Sequence, residues 1–202
     1  PGKSKLLGRH SFLRGGRGAV CGESAAPSDS KRYGYPGGNE KSDQRRSFGD
    51  AEFDQAAQGA HQFIYRTLDV TTNGNSLAHA ILRGGVDKYG TCIPNYHYED
   101  LYRLSAMYQT SGLKNPAVVV DANHSNSNKQ YKEQIRIVSE VMHSRNYNGD
   151  LKQLIKGVMV ESYLIEGRQE ITGNRTYGQS ITDPCIGWED TEYLIRKIAE
   201  EC

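Results

Sequence analysis

From about residue 61 to the end of the chain, short apolar runs alternate with longer amphipathic segments. The apolar runs predict strands over residues 62–68, 77–82, 116–120 and 157–160. The amphipathic segments predict helices over 98–108, 130–144 and 189–201, and the second helix carries Ile135, Val138, Val141 and Met142 on one face. Short, fully apolar strands that alternate with helices are typical of a parallel sheet covered by helices. The pattern therefore predicts an α/β fold for residues 60–202.

Residues 1–59 have a different character. They hold 11 of the chain's 22 glycines and few aliphatic residues, and runs such as RGGRG at 14–18 and YGYPGG at 33–38 interrupt any helix or strand. From the composition alone, we therefore predict that this Gly/Arg-rich segment is irregular or disordered. Arginine, glycine and tyrosine in one stretch also suit single-stranded RNA, so a nucleic-acid-binding protein is an alternative.

Charge and cysteine content narrow the class of protein. The chain has 202 residues and a formal net charge of +1, which favours neither a nucleic acid nor a membrane as partner. The four cysteines lie at 21, 92, 185 and 202 and form no CxxC pair, so their spacing indicates neither a zinc finger nor a disulfide framework. Scattered free thiols are typical of a reducing compartment, and we predict a cytoplasmic protein without membrane or nucleic-acid partners.

Polar residues stand where the predicted strands end. Arg83 follows the second strand, Asp121 and His124 follow the third, and Glu161 follows the fourth. In a (β/α)₈ barrel the chemistry gathers at these carboxyl ends. Imidazole and carboxylate groups bind divalent cations, and Asp183 from the following loop completes such a set with His124 and Glu161. Arg83, which precedes two glycines, is suited to bind a phosphate or a carboxylate. Each residue also has a plainer interpretation, as a cap, a solvated side chain or a surface arginine.

Six motifs in consecutive order carry a resemblance to a known family. They are NGN at 73–75 with HAILRGG at 79–85, PNY at 94–96, DANHSNSNK at 121–129, GVMVES at 157–162, EGRQ at 166–169 and YGQSITDPCIGWED at 177–190. Together they resemble the C-terminal half of the class I, microbial-type 3-deoxy-7-phosphoheptulonate (DAHP) synthases. The resemblance implies that residues 60–202 are the C-terminal portion of a (β/α)₈ TIM barrel.

The resemblance also implies a function. The family condenses phosphoenolpyruvate with erythrose 4-phosphate, releases inorganic phosphate and opens the shikimate pathway. It implies that His124, Glu161 and Asp183 bind a divalent ion of the Mn, Fe, Co or Zn class, that Arg83 contacts the phosphate of phosphoenolpyruvate, and that Asp183 also lies at the substrate. It further implies a homo-oligomer. Cys185 belongs to a matched motif, and we expect it to be packed and not a ligand.

This sequence departs from the family pattern in several places. Asn123 stands where the family has Ser before the metal-binding His, and Arg168 replaces the Asn of EGNQ. The family's cysteine-ligand motif and its substrate-binding lysine segment do not occur in the chain. We therefore expect an incomplete and inactive fragment, with residues 1–59 either disordered or translated out of frame from the normal domain. A non-catalytic regulatory protein built on a barrel remnant is the other alternative.

Overall fold

The computed structural model describes residues 55–171 and 173–202. All but the last five residues of the irregular segment predicted over 1–59 lie outside the described residues, so that prediction stays a prediction. Within the part that is described, no helix is both long and apolar enough to cross a membrane.

The chain forms nine strands and four longer helices in the described ranges. The strands are β1 (Gln62–Tyr65), β2 (Leu68–Thr71), β3 (Ala80–Leu82), β4 (Gly85–Val86), β5 (Cys92–Ile93), β6 (Val118–Asp121), β7 (Ile155–Met159), β8 (Ile165–Arg168) and β9 (Gln179–Ser180). The helices are α1 (Tyr98–Thr110), α2 (Gln134–Tyr147), α3 (Gly149–Leu154) and α4 (Trp188–Glu201), and a short 3₁₀ turn (Tyr131–Glu133) leads into α2. Residues 55–58 are also helical.

A three-stranded parallel sheet is the centre of the fold. Its order is β3–β6–β7, with β6 paired in parallel to both neighbours. The predicted alternation of parallel strands and helices is thereby confirmed, and the fold is mixed α/β. Among the described residues, the outer edges of β3 and β7 pair with no other strand.

The two faces of this sheet differ in burial. Alternate side chains of a strand point to opposite faces, and one face is buried with the helices in a single apolar cluster. Sheet residues of this cluster are Ala80, Leu82, Val118, Val120 and Ile155, and helix residues include Leu101, Leu104, Ile137, Val138, Val141, Leu151 and Leu194. On the other face Ile81, Val119 and Met159 remain half-exposed in the part of the chain that the structure describes.

One buried amide ties the amino ends of the sheet together. The amide nitrogen of Gln58, Nε2, donates to the carbonyl oxygens of Ala78 (2.9 Å) and Asn115 (3.0 Å). Its Oε1 accepts from the backbone N–H groups of Lys114 (3.1 Å) and Asn115 (3.3 Å). All four hydrogen-bonding positions of the amide are therefore filled. Gln58 lies two residues before the predicted domain boundary at 60, and it fixes the loops that lead into β3 and β6.

The strand predicted over 62–68 was wrong in its connectivity. The chain reverses at Arg66 and Thr67, both of which have positive φ (48° and 68°), and β1 and β2 pair antiparallel across this turn. Two consecutive residues with positive φ form the tight hairpin turn that Asn-Gly usually signals. The sequence carries no such signal at residues 66 and 67. The alternation of apolar and polar residues runs on through the turn, and it therefore predicted one continuous strand.

The other differences concern element ends and short pairings. The strand predicted from Leu77 begins only at Ala80, because the Asn75 side chain accepts the backbone N–H of Leu77 (3.0 Å) in a local turn and leaves Leu77 73% exposed. The helix predicted over 130–144 begins at Gln134 and continues to Tyr147. The strand pairs β4–β5 and β8–β9 and the short helix α3 were not predicted, since two- to six-residue elements leave no clear period.

The central cluster should dominate the stability of the chain. Ile137 in α2 is 0% exposed, whereas Ile195 in α4 is 56% exposed. We expect Ile137→Ala to lower the free energy of unfolding by about 2–5 kcal/mol because it removes buried methyl groups and leaves a cavity. The control Ile195→Ala should change it by no more than about 0.5 kcal/mol. Urea denaturation followed by circular dichroism measures both, and equal losses would contradict this assignment of the core.

Gly84, directly after β3 and Arg83, should tolerate no side chain. It has φ +69°, and a Cβ there would lie 2.8 Å from the carbonyl oxygen of Ile93 and 2.9 Å from Oδ1 of Asn126. Gly112 has φ +67° but no atom within 4 Å of the same position. Alanine at either site incurs the left-handed backbone cost of about 1–2 kcal/mol. Gly84→Ala should lose about 1–3 kcal/mol more through overpacking, which thermal unfolding of the two variants would detect; similar losses would refute the clash.

Candidate metal centre

The carboxyl ends of the parallel strands bring the predicted site residues to one edge of the sheet. Arg83 directly follows β3, His124 lies three residues after the end of β6, and Glu161 lies two residues after the end of β7. Asp183 comes from the segment after β9. Donor atoms of His124, Glu161 and Asp183 all lie within 4.8 Å of one another. The three predicted ligands are therefore brought together in the described part of the chain.

A buried carboxylate holds the imidazole of His124. Asp121 is 0% exposed, and its Oδ2 lies 2.6 Å from Nδ1 of His124. Both atoms are buried, and neither has a polar partner outside this close pair among the described residues. The contact with Asp121 raises the pKa of His124, while burial and the nearby Arg83 guanidinium act in the opposite direction. A carboxylate on one ring nitrogen is the common support of a metal-binding histidine, because it fixes the ring and leaves the other nitrogen for the cation.

The free nitrogen of this imidazole faces the second carboxylate. Nε2 of His124 lies 3.2 Å from Oε1 of Glu161. Burial raises the pKa of Glu161, and the neighbouring Asp183 carboxylate raises it further, whereas the charge of His124 and the nearby Asn123 side chain lower it. Two acidic groups that repel each other beside an imidazole are stabilised when a cation lies between them.

The backbone of Glu161 is held by an amide on α2. Oε1 of Gln134 accepts the Glu161 N–H (2.7 Å), and Nε2 of Gln134 donates to the Glu161 carbonyl oxygen (3.1 Å). Gln134 is fully buried. A helix on the covered side of the sheet therefore fixes the position from which the Glu161 side chain extends.

Asn126 joins the ends of β3 and β6. Its Nδ2 donates to the carbonyl oxygens of Leu82 (3.0 Å) and Asp121 (2.7 Å). Its Oδ1 accepts the N–H of Asn95 (2.9 Å), and Oδ1 of Asn95 in turn accepts the N–H of Gly84 (2.8 Å). The backbone on both sides of Arg83 is thus tied to the loop that carries His124.

The turn after β6 adopts an uncommon backbone. His124, Asn128 and Lys129 have φ values of 47°, 52° and 61°. Left-handed residues other than glycine persist only where the surrounding contacts impose them. In this turn those contacts include the Asp121–His124 pair and a hydrogen bond from the Lys129 N–H to the His124 carbonyl oxygen (2.9 Å).

The segment that carries Asp183 is attached to the strand ends by backbone pairs. The N–H of Ile186 donates to the carbonyl oxygen of Glu161 (3.1 Å), and Gly167 and Cys185 exchange two hydrogen bonds (2.8 and 3.2 Å). Cys185 is buried, as expected, and its Sγ donates to the carbonyl oxygen of Asp183 (3.3 Å). Burial raises the pKa of this thiol, so it remains protonated as a packing group.

Four side chains that support the site were not predicted from the sequence to belong to it: Asp121, Asn123, Asn126 and Gln134. The three-residue spacing between Asp121 and His124 could have indicated the first, since a carboxylate beside a metal-binding His is common. Asn123 was noted only as a departure from the family pattern, and Asn126, two residues after the same histidine, gave no separate signal. Gln134 lies 27 residues from Glu161 in sequence, and only the packing of α2 against the sheet brings them together.

The donor set fits a divalent transition-metal ion. One imidazole nitrogen and two carboxylates suit Mn, Fe, Co or Zn better than the all-oxygen sets that Mg²⁺ and Ca²⁺ prefer. The supporting carboxylate on Nδ1 and the raised pKa of Glu161 agree with this fit. Elsewhere in the described ranges, no other group of three His, Cys, Asp or Glu side chains converges in this way.

Comparison with known proteins places this geometry in a family context. The model of the DAHP synthetase I family matches residues 48–196. The chain is 43% identical over 152 residues to a phospho-2-dehydro-3-deoxyheptonate aldolase of Haemophilus influenzae, covering 72% of this chain and 40% of the relative. It is 38% identical over 152 residues to the Trp-sensitive aldolase of Escherichia coli K12, covering 72% and 41%.

The chain is also similar to a solved structure. The phospho-2-dehydro-3-deoxyheptonate aldolase of Francisella tularensis superposes with a TM-score of 0.63 at 30% sequence identity, over 75% of this chain and 43% of that one. The chain thus spans about 40% of the length of the curated relatives that it matches. Since the family model matches well over half of its residues, the chain belongs to the DAHP synthetase I family.

Proposed function

We propose that this chain carries part of the active site of a DAHP synthase, which condenses phosphoenolpyruvate with erythrose 4-phosphate and releases inorganic phosphate at the start of the shikimate pathway. The observation that carries the proposal is the convergence of His124, Glu161 and Asp183, with Asp121 behind the imidazole. Family membership supplies the reaction class, and the donor set supplies its chemistry.

Each residue has a distinct proposed role. His124 offers Nε2, and Glu161 and Asp183 offer carboxylate oxygens, to a divalent ion of the Mn, Fe, Co or Zn class. When bound, such an ion would supply Lewis acidity toward the aldehyde oxygen of erythrose 4-phosphate. Asp121 keeps the imidazole proton on Nδ1, which leaves the lone pair of Nε2 free for the ion. Asp183 also faces the substrates.

Arg83 is the proposed contact for the phosphate of phosphoenolpyruvate. It lies at the end of β3, close enough to His124 to influence the pKa of that imidazole. A guanidinium offers two parallel donors to a phosphate and retains its charge at any physiological pH. Its place beside the candidate metal ligands suits a substrate that bears both a phosphate and a carboxylate.

We further propose that the sheet is the C-terminal portion of a (β/α)₈ barrel. Three parallel strands are three of the eight that such a barrel needs, in keeping with a chain that covers about 40% of its relatives. Two unpaired edges and one half-exposed apolar face in the described ranges support the need for further strands. A cytoplasmic location and a homo-oligomeric assembly, both predicted from the sequence, are part of the same proposal.

The ligand assignment predicts metal affinity. We expect His124→Ala to weaken Mn²⁺ binding by at least about 100-fold, because loss of a ligand should exceed the 10- to 100-fold effect of losing a supporting hydrogen bond. The control His143→Ala changes an exposed histidine of α2 that stacks on Tyr147 and should leave affinity unchanged. Isothermal titration calorimetry measures both, and equal affinities of the two variants would refute the assignment.

The barrel proposal predicts that activity depends on additional strands. The 202-residue chain alone should release no phosphate from phosphoenolpyruvate and erythrose 4-phosphate, since its described residues supply three of the eight parallel strands that the proposed barrel needs. Co-expression with the portion of the Haemophilus influenzae relative outside the matched segment should give a complex that is active, and His124→Ala in that complex should be inactive. Phosphate release by the chain alone would refute the proposed incompleteness of the site.

A further inference from the structure

The backbone of Glu161 lies beyond the paired part of the central sheet. The register between β6 and β7 ends where Asp121 pairs with Met159, and Glu161 follows two residues later. Among the described residues, the acceptor of the Glu161 N–H is not a strand but the side chain of Gln134 (2.7 Å). A candidate metal ligand at this position therefore depends on a side chain for the support that a neighbouring strand would otherwise give.

The side-chain amide of Gln134 pairs with Glu161 as a residue of a facing strand would. Its Oε1 accepts the Glu161 N–H, and its Nε2 donates to the Glu161 carbonyl oxygen (3.1 Å), which is the reciprocal pair of an antiparallel ladder. Nε2 also donates to the carbonyl oxygen of Tyr131 (3.1 Å). Because Nε2 only donates and Oε1 only accepts, these bonds hold the fully buried amide in one orientation.

The carbonyl oxygen of Glu161 is shared between two elements that carry the site. Besides the amide of Gln134, it accepts the N–H of Ile186 (3.1 Å). Ile186 is 0% exposed and lies three residues after Asp183. A displacement of this carbonyl group would therefore move Glu161 directly and the segment of Asp183 through Ile186.

We propose that Gln134 is a positioning residue of this centre, whose amide sets the distance between the donor atoms of Glu161 and Asp183. It acts through the backbone of Glu161 and through the carbonyl oxygen that Ile186 shares. Metal-binding groups must be held within about 0.5 Å of their productive geometry, and supporting partners commonly contribute 10- to 100-fold to affinity. The proposal rests on the proposed function in so far as the centre binds a metal ion.

The first test measures Mn²⁺ affinity in the full chain by isothermal titration calorimetry. Gln134→Met keeps the length of the side chain and removes its three hydrogen bonds. We expect Mn²⁺ to bind about 10-fold more weakly, because Glu161 and Asp183 lose their fixed spacing. Wild-type affinity in Gln134→Met would overturn the proposal.

Gln58→Met is the matched control for this variant. Gln58 is also a buried glutamine whose amide bonds only to backbone groups, but these groups lie in the loops at the amino ends of β3 and β6. The control loses four hydrogen bonds and should be destabilised, yet it should bind Mn²⁺ as the wild type does. Equal weakening in the two variants would show a general loss of stability and would overturn the positioning role.

The second test does not require metal. In a crystal structure of the metal-free Gln134→Met chain, the donor atoms of Glu161 should no longer lie within 4.8 Å of those of His124 and Asp183, whereas Gln58→Met should keep that spacing. Unchanged spacing in Gln134→Met would overturn the proposal. A wild-type chain that binds no Mn²⁺ would refute the proposed function instead, and this structural comparison would still decide the role of Gln134.

Hydrogen exchange of the wild-type chain covers the case in which Gln134→Met does not fold. The N–H of Glu161 should be protected at least about 10 times more strongly than that of Tyr177, which lies in an exposed turn. Gln134→Asn keeps an amide but is one methylene group shorter, and it should reduce the protection of Glu161 toward that of Tyr177. Equal protection of the two N–H groups in the wild type would overturn the proposal.

Discussion

The parallel pairing of β6 with both β3 and β7 is the constraint on which the rest of the molecule depends. Because the three strands run in the same direction, their carboxyl ends meet at one edge, and residues far apart in sequence become neighbours there. The register of the strand pairing then decides which residues become neighbours. Val120 pairs with Leu82 and Val158, so Arg83, His124 and Glu161, which follow one, four and three residues later, lie beyond the same edge of the sheet.

The buried carboxylate of Asp121 links the stability of this sheet edge to the geometry of the site. An ionised group without exposure is costly unless it is paired and hydrogen-bonded. Asp121 satisfies this condition through His124 on one oxygen and the N–H of Asn123 on the other. The same two contacts that make its burial tolerable also determine where the imidazole points, so stability and site geometry are not separable here.

Much of this could be predicted from the sequence because the strand ends carry both an apolar run and the polar residue that follows it. The positions of Arg83, His124 and Glu161 at strand ends follow from that pattern, and the approach of His124 and Glu161 to Asp183 follows from the motifs. The hairpin at Arg66 could not be predicted, since it lacks the residues that usually adopt positive φ. Gln134 and Gln58 could not be predicted either, because their partners lie 20 or more residues away and depend on packing.

The left-handed backbone at His124 affects the entropy cost of binding an ion at this residue. A non-glycine residue with φ near 47° is held at a cost of about 1–2 kcal/mol. That cost is met when the chain folds, by the contacts of the turn, and not at the moment when an ion would bind to the proposed centre. The imidazole is therefore preorganised, and association loses little conformational entropy at this residue. Selectivity between ions of similar charge would then come from the rigidity of the turn as much as from the identity of the donors.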